Sequence, residues 1–224
     1  MPMGWVRSGF DSRYPDKMKN TSGKNSLQSV VNFIYEVGIL KQTPRSGLWF
    51  LGTGNQSVAE HICRATLIGY SLAKLTKGAN TDRVVMLCLI HDLGEARTSD
   101  LNYVHQKYGR LSESEAVKDL ASTLPFGEEI LARHHEAEEK VTLEAKLAKD
   151  ADNLEWICTL REEEMKGNIK ATSWLVSATQ RLRTTAGKKL VKIIMKTHPD
   201  AWWYKENDKW FVNRKAKDKK WKKK

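Results

Sequence analysis

Apolar side chains recur along this chain at helical spacing. Leu27, Val30, Val31 and Ile34 fit one face of a helix that ends near Gly38 or Lys41. His61, Ala65, Ile68, Leu72 and Leu75 share a face of a second helix. Ser57-Val58-Ala59-Glu60 opens it as a capping box, in which a hydroxyl and a carboxylate satisfy the first free amides. Residues 84–90 form an unbroken apolar run that alone fits a buried strand or a buried helix. Its continuation through His91-Asp92-Leu93-Gly94-Glu95-Ala96 without a turn favours helix. Residues 43–56, with their glycines and a proline, read as a structured loop, and residues 99–109 read as another. Ser112-Glu113-Ser114-Glu115 has the form of a second capping box, and Pro125 suits the start of a helix through His135. Thr142 is placed to cap a long helix over 143–166, with Gly167 as its stop. A last helix is expected over 171–196, ahead of Pro199. No stretch alternates as a sheet does, so the predicted class is all-α. The expected organisation is a polar arm (1–24), one globular helical bundle (25–198) and a basic, Trp/Lys-rich tail (199–224).

Composition refines this picture in a few places. Apolar residues make up 40% of the 224 residues, enough for a sizeable core. The run over 84–90 is far shorter than the roughly 20 residues of a membrane-spanning helix, so no membrane role is expected. The opening Met-Pro-Met-Gly-Trp-Val-Arg lacks the apolar stretch of a secretory signal. Cys63, Cys88 and Cys158 are odd in number, far apart and without a C-x-x-C pair, which suits a reducing, cytoplasmic setting. Of the net charge of +11, residues 196–224 carry +7, from 11 Lys/Arg against 4 acids. The positive excess therefore belongs to the tail. One reading of residues 215–224 is a solvated terminus. The other is a nucleic-acid-binding segment, with counterion release along the lysines and bases stacked on Trp202, Trp203, Trp210 and Trp221.

Candidate chemistry starts at His91-Asp92, where an imidazole and a carboxylate stand side by side, both suited to a divalent cation. On a helix, Glu95 follows His91 by one turn and can approach the same site. His61 stands on an otherwise apolar face, where a hydrogen-bonded core histidine competes with a ligand. Asp152 sits in the acidic cluster Lys149-Asp150-Ala151-Asp152-Asn153-Leu154-Glu155. Leu147, Ala151, Leu154 and Cys158 point closer to Asp150 than to Asp152, about 200° apart on a helix, while Ala145, Ala148 and Trp156 line another side. Periodicity alone nominates Asp150, unless this helix is buried on two faces. The chain shows neither a G-x-S-x-G elbow nor a Walker loop.

The order His, His-Asp, distant Asp resembles the HD-domain phosphohydrolase superfamily. Ser-Val-Ala-Glu-His at 57–61, His-Asp-Leu-Gly-Glu at 91–95, Lys-Asp-Ala-Asp-Asn-Leu-Glu at 149–155 and Thr-Pro-Arg-Ser-Gly-Leu-Trp at 43–49 are similar to its 5′-deoxynucleotidase branch. The resemblance spans roughly residues 27–170. It implies an HD-domain helical bundle with His61, His91, Asp92 and Asp152 as ligands of one divalent ion, with Mn, Co, Zn, Fe and Mg not distinguished. It also implies Glu95 as catalytic acid/base, Asp100 near the sugar, and Arg45 and Trp49 in the loop that shapes the nucleotide pocket. Leu48, standing between Gly47 and Trp49, departs from the branch's spacing. His134-His135 holds a second metal in one reading and is a surface or phosphate-facing pair in the other; His105 and His198 are read as non-ligands. The implied activity is release of phosphate from (deoxy)nucleoside 5′-monophosphates, with a nucleotide as the small-molecule partner and a homodimer compatible with such domains. The alternatives are a dNTP triphosphohydrolase, a two-metal phosphodiesterase and the nucleic-acid-binding module.

Overall fold

The computed structural model describes residues 27–212. The arm over 1–24 and the lysine-rich end of the tail, with Trp221, lie outside the described residues. Among those described, every regular element is helical, as expected: α1 (Leu27–Val37), a 3-10 turn (Gly38–Lys41), α2 (Gly47–Leu51), α3 (Val58–Lys74), α4 (Thr81–Ile90), α5 (Glu95–Thr98), α6 (Tyr103–Tyr108), α7 (Glu113–Ser122), α8 (Gly127–Glu139), α9 (Leu143–Met165), α10 (Ile169–Thr179), α11 (Thr185–Ile194), a second 3-10 turn (Pro199–Trp202) and α12 (Lys209–Val212). No helix among them is long and apolar enough to cross a membrane.

The organising element is α9, against which α3, α4, α8, α10 and α11 all pack. Thr142 starts it by accepting a hydrogen bond from the Ala145 amide (3.1 Å), and Gly167, at φ +94°, follows its end. Leu147, Ala151, Leu154, Ile157 and Leu160 are buried along it, and so are Ala148 and Trp156 on its other side. The helix is thus covered on two faces. Its larger apolar cluster joins α3, α4, α10 and α11, while Leu40, Val58, Ile62, Ile90, Leu93, Val117, Leu120, Leu124 and Ile130 form a second cluster under α7 and α8. Gly69 lets α3 approach α4 closely: a Cβ there would stand 2.5 Å from the Cys88 sulfur. The capping box of α3 forms as expected, with the Glu60 amide donating to Ser57 Oγ (3.2 Å) and the Ser57 amide to the Glu60 carboxylate (2.6 Å).

Several expectations are corrected. The helix over 84–90 does not run on to Ala96. It stops at Ile90, and bonds from Leu93 to Ile90 and from Glu95 to Asp92 tighten residues 91–95 into turns, with low-propensity Gly94 packed 3.2 Å, at its would-be Cβ, from the Glu113 carbonyl of α7. Two loops contain helices. In 43–56, α2 buries Leu48 and Leu51, and in 99–109 the Asn102 side chain caps α6 by accepting from the Val104 and His105 amides. Ser112 precedes α7 but makes no side-chain cap bond, and α8 begins at Gly127 and continues to Glu139. The helix expected over 171–196 is two, α10 and α11, broken at 180–184. On α1 the predicted face is not the packed one: Leu27, Val31 and Ile34 are exposed, while Phe33 meets Phe126 edge-on at 6.1 Å between ring centroids. Leu75 is likewise exposed beyond the end of α3.

Candidate metal centre and catalytic pocket

Three helices bring the ligand candidates together. His61 lies in the first turn of α3 and is fully buried, His91 caps the C-terminus of α4, Asp92 follows in the turn, and Asp152 projects from the middle of α9. His61 Nε2 is 3.4 Å from His91 Nε2, 3.5 Å from Asp92 Oδ2 and 3.3 Å from Asp152 Oδ1. His91 Nε2 is 3.2 Å from Asp92 Oδ2. His61, His91 and Asp92 each place a ligand atom within 4.8 Å of the others, and Asp152 adjoins this set through His61.

The far nitrogen of each imidazole is already engaged. His61 Nδ1 donates to Glu155 Oε2 (2.6 Å) and His91 Nδ1 to the Cys88 carbonyl (2.8 Å). A proton fixed on each Nδ1 leaves both Nε2 lone pairs facing the same point, the arrangement metal-ligating histidines need. Glu155 is itself held: its Oε1 accepts from Gln56 Nε2 (2.6 Å), Arg64 Nε (2.9 Å) and Arg64 Nη2 (2.7 Å). The donor set, two imidazoles and two carboxylates with their protons directed outward, fits a divalent cation.

The charges agree. Burial opposes the Asp152 charge, but Lys149, whose Nζ donates to its Oδ2 (2.6 Å), outweighs it together with His61 and holds the carboxyl well below its ordinary range. Burial likewise opposes ionisation of Asp92, yet His91 and His61 keep it ionised. Without a cation, burial and Arg45 work against a second proton on His61, but Asp152 and Glu155 raise its pKa to about 9. The positive charge those carboxylates attract is one a metal ion can supply.

Around this point lies a cleft of about 300 Å³, lined among others by Arg45, Asp92, Glu95, Asp100, Asp152 and Trp156. A β-bridge between Pro44 and Ser57, with the Arg45 amide donating to the Gln56 carbonyl (2.9 Å), ties the Arg45 loop to the start of α3. Arg45 Nη1 stands 3.5 Å from Asp92 Oδ2 and 3.7 Å from Asp100 Oδ2, and Asp100 accepts from the Ser46 amide (2.9 Å). Burial opposes the guanidinium charge, but Asp92 and Asp100 more than compensate and raise its pKa. Glu95 is buried and its Oε2 has no hydrogen-bond partner among the described residues. Burial, then Asp92 and Asp100, push its carboxyl up to about 10 without a cation.

Trp49 is not brought into the cleft: it is 58% exposed, with its ring edge-on to His105 at 5.9 Å, and the aromatic wall there is Trp156. His134 is buried and its Nε2 has no hydrogen-bond partner among the described residues, while His135 is exposed. His105 Nδ1 pairs with Asn102 Nδ2 (3.0 Å), and His198 accepts from the Asp200 amide (3.1 Å).

A family model described as an HD domain matches residues 37–194. The chain belongs to the HD-domain family. This HD-domain chain is 31% identical over 149 residues to the 5′-deoxynucleotidase HDDC2 of Danio rerio, an overlap of 63% of this chain and 73% of that protein. It is 29% identical over 171 residues to the 5′-deoxynucleotidase YBR242W of Saccharomyces cerevisiae, 70% of each chain. A conserved hypothetical protein from Pyrococcus furiosus superposes with a TM-score of 0.64 at 31% identity, covering 74% of this chain and 97% of that one. The resemblance read from the motif order is borne out, and the HD-domain protein is a hydrolase. Glu155, Lys149 and Arg64 carry no role in the sequence reading. Glu155 does lie three residues beyond Asp152 within a quoted motif, and that spacing on a helix was the available signal.

Proposed function

We propose that this enzyme releases inorganic phosphate from (deoxy)nucleoside 5′-monophosphates, with its catalytic unit inside residues 25–198. The observation that carries the reading is one cleft holding a metal-type donor set, an arginine and an uncommitted buried glutamate, in a chain whose similar proteins are named 5′-deoxynucleotidases. His61, His91, Asp92 and Asp152 hold the divalent ion. Such an ion, when bound, acidifies water and neutralises charge developing on a phosphoryl group. Arg45, kept charged by Asp92 and Asp100, offers two parallel N–H donors to the phosphate, which a lysine cannot do. Asp100, anchored through the Ser46 amide, has its other oxygen for a sugar hydroxyl. Glu95, buried in the cleft with an uncommitted Oε2, serves as the acid/base: it takes a proton from the attacking water and returns one to the leaving 5′-oxygen. Lys149 stays on Asp152 and holds that ligand in place.

The test is a phosphate-release screen over nucleoside mono-, di- and triphosphates with Mn, Co, Mg, Zn or Fe. Orthophosphate from monophosphates alone is expected. Tripolyphosphate from a dNTP overturns the reading in favour of a triphosphohydrolase. A second reading rests on the buried, unpartnered Nε2 of His134, which suits a second cation. A metal content near two per chain supports it, and near one excludes it.

A further inference from the structure

The cleft has a second end that the phosphate chemistry leaves unused. Beyond Arg45, Glu95 and Asp100 its lining passes to Tyr103, Trp156 and Arg181, and the same three residues line an adjoining cavity with Trp174. Arg181 Nη1 donates to the Tyr103 hydroxyl (2.6 Å), and the guanidinium carbon sits 5.3 Å from the Tyr103 ring centroid. Trp156 is backed by Trp174 at 6.2 Å between ring centroids, so this aromatic wall has support behind it. Arg181 is exposed, and its backbone stands beside an anchored turn. It lies in the break between α10 and α11, where Asp150 accepts from the Arg183 amide (2.8 Å), the Thr184 amide (2.7 Å) and the Thr184 hydroxyl (2.7 Å).

The polarity of this pair is one-sided. The Tyr103 oxygen already accepts from Arg181, so its own proton is available to donate, and the remaining guanidinium N–H groups can only donate. Neighbouring Asn102 is committed to capping α6 and to His105. A donor-rich edge pairs best with two adjacent acceptors and less well with an acceptor beside an amino group. Guanine and hypoxanthine present O6 and N7 together, whereas adenine presents N7 beside an amino donor.

We propose that Arg181 and Tyr103 form the base-recognition edge of this cleft and select 6-keto purine 5′-monophosphates over adenine ones. The proposal rests on the nucleotidase reading above and names the substrate class within it. The test measures kcat/KM for dGMP, dIMP and dAMP with the metal-loaded full chain, and repeats it for Arg181→Gln and Tyr103→Phe. The wild type should favour dGMP and dIMP alike over dAMP by at least about tenfold, the scale of one good bidentate base contact. Arg181→Gln should collapse both ratios to about one, through KM rather than kcat. Tyr103→Phe, which keeps the ring and only removes the hydroxyl, should reduce them in part and serves as the readout if Arg181→Gln does not fold. Equal wild-type turnover of all three bases overturns the base selection and leaves the nucleotidase reading standing. So does a loss in Arg181→Gln that is the same for every base. No phosphate from any nucleotide overturns both.

Discussion

At the scale of single residues the proposed site separates holding a metal from moving a proton. Glu95 is buried, its Oε2 has no hydrogen-bond partner among the described residues, and it lies outside the three-residue set of close ligand atoms, so its substitution should spare the metal. Glu95→Gln is expected to retain stoichiometric metal by elemental analysis while kcat falls about 10²- to 10⁴-fold, the usual span for a lost general acid or base. Loss of metal in that variant would reassign Glu95 as a ligand. Glu155 presents the opposite case. It touches no substrate surface, being fully buried, and acts through the 2.6 Å bond that fixes the His61 proton. Burial opposes its charge, but His61 and Arg64 hold its carboxyl down at about 2. Glu155→Gln keeps the shape and loses the charge, so His61 is no longer locked with Nε2 bare. Metal affinity should drop about 10- to 100-fold, as for other partners of metal-bound histidines, with kcat largely recovered at saturating metal. A kcat that stays low at saturation would show a role beyond positioning.

At the scale of elements, Asp150 explains both a success and a failure of reading the sequence. Periodicity pointed Asp150 inward, and it is fully buried, but its oxygens face the break between α10 and α11 rather than the metal. Asp152, on the other covered face of α9, takes the place beside His61. Periodicity ranks faces by apolar content and cannot say which of two buried carboxylates meets imidazoles. The break itself was hidden because the group that stabilises it comes from α9, some thirty positions earlier. The α3 capping box was legible because donor and acceptor lie three residues apart. His61, His91, Asp92 and Asp152 could instead be named through the resemblance of the motif order, while Trp49 could not be placed, since a short helix, α2, turns it toward His105. Asp150→Ala leaves the Arg183 and Thr184 amides without their acceptor. It should cost about 2–4 kcal/mol, on the scale of unsatisfied buried donors, read as a lower urea midpoint with the slope unchanged. A loss below about 0.5 kcal/mol, the range of ordinary surface substitutions, would mean that water or a shifted turn satisfies those amides.

At the scale of the whole molecule, the proposed metal site is a clasp on the core. Its candidate ligands come from α3, from the end of α4 and the turn after it, and from α9, and α3, α4 and α9 share the larger apolar cluster. An ion binding the folded chain alone adds RT ln(1 + [L]/Kd), about 2.7 kcal/mol at a hundredfold excess over Kd. Thermal unfolding should therefore shift upward with added Mn or Zn and return downward with chelator, whereas Asp92→Ala, folded and still helical by circular dichroism, should show no shift. The pH dependence has a definite sign. In the cation-free site the His61 pKa lies near 9, above the ordinary histidine value, so at neutral pH an incoming ion must displace a proton from it. Apparent affinity should rise as pH increases and level off only above about 9, and each bound ion should release protons, measurable from the buffer dependence of the binding enthalpy. An affinity independent of pH between 6 and 9 would mean that His61 is already neutral in the resting site, its Nε2 free without any proton to lose.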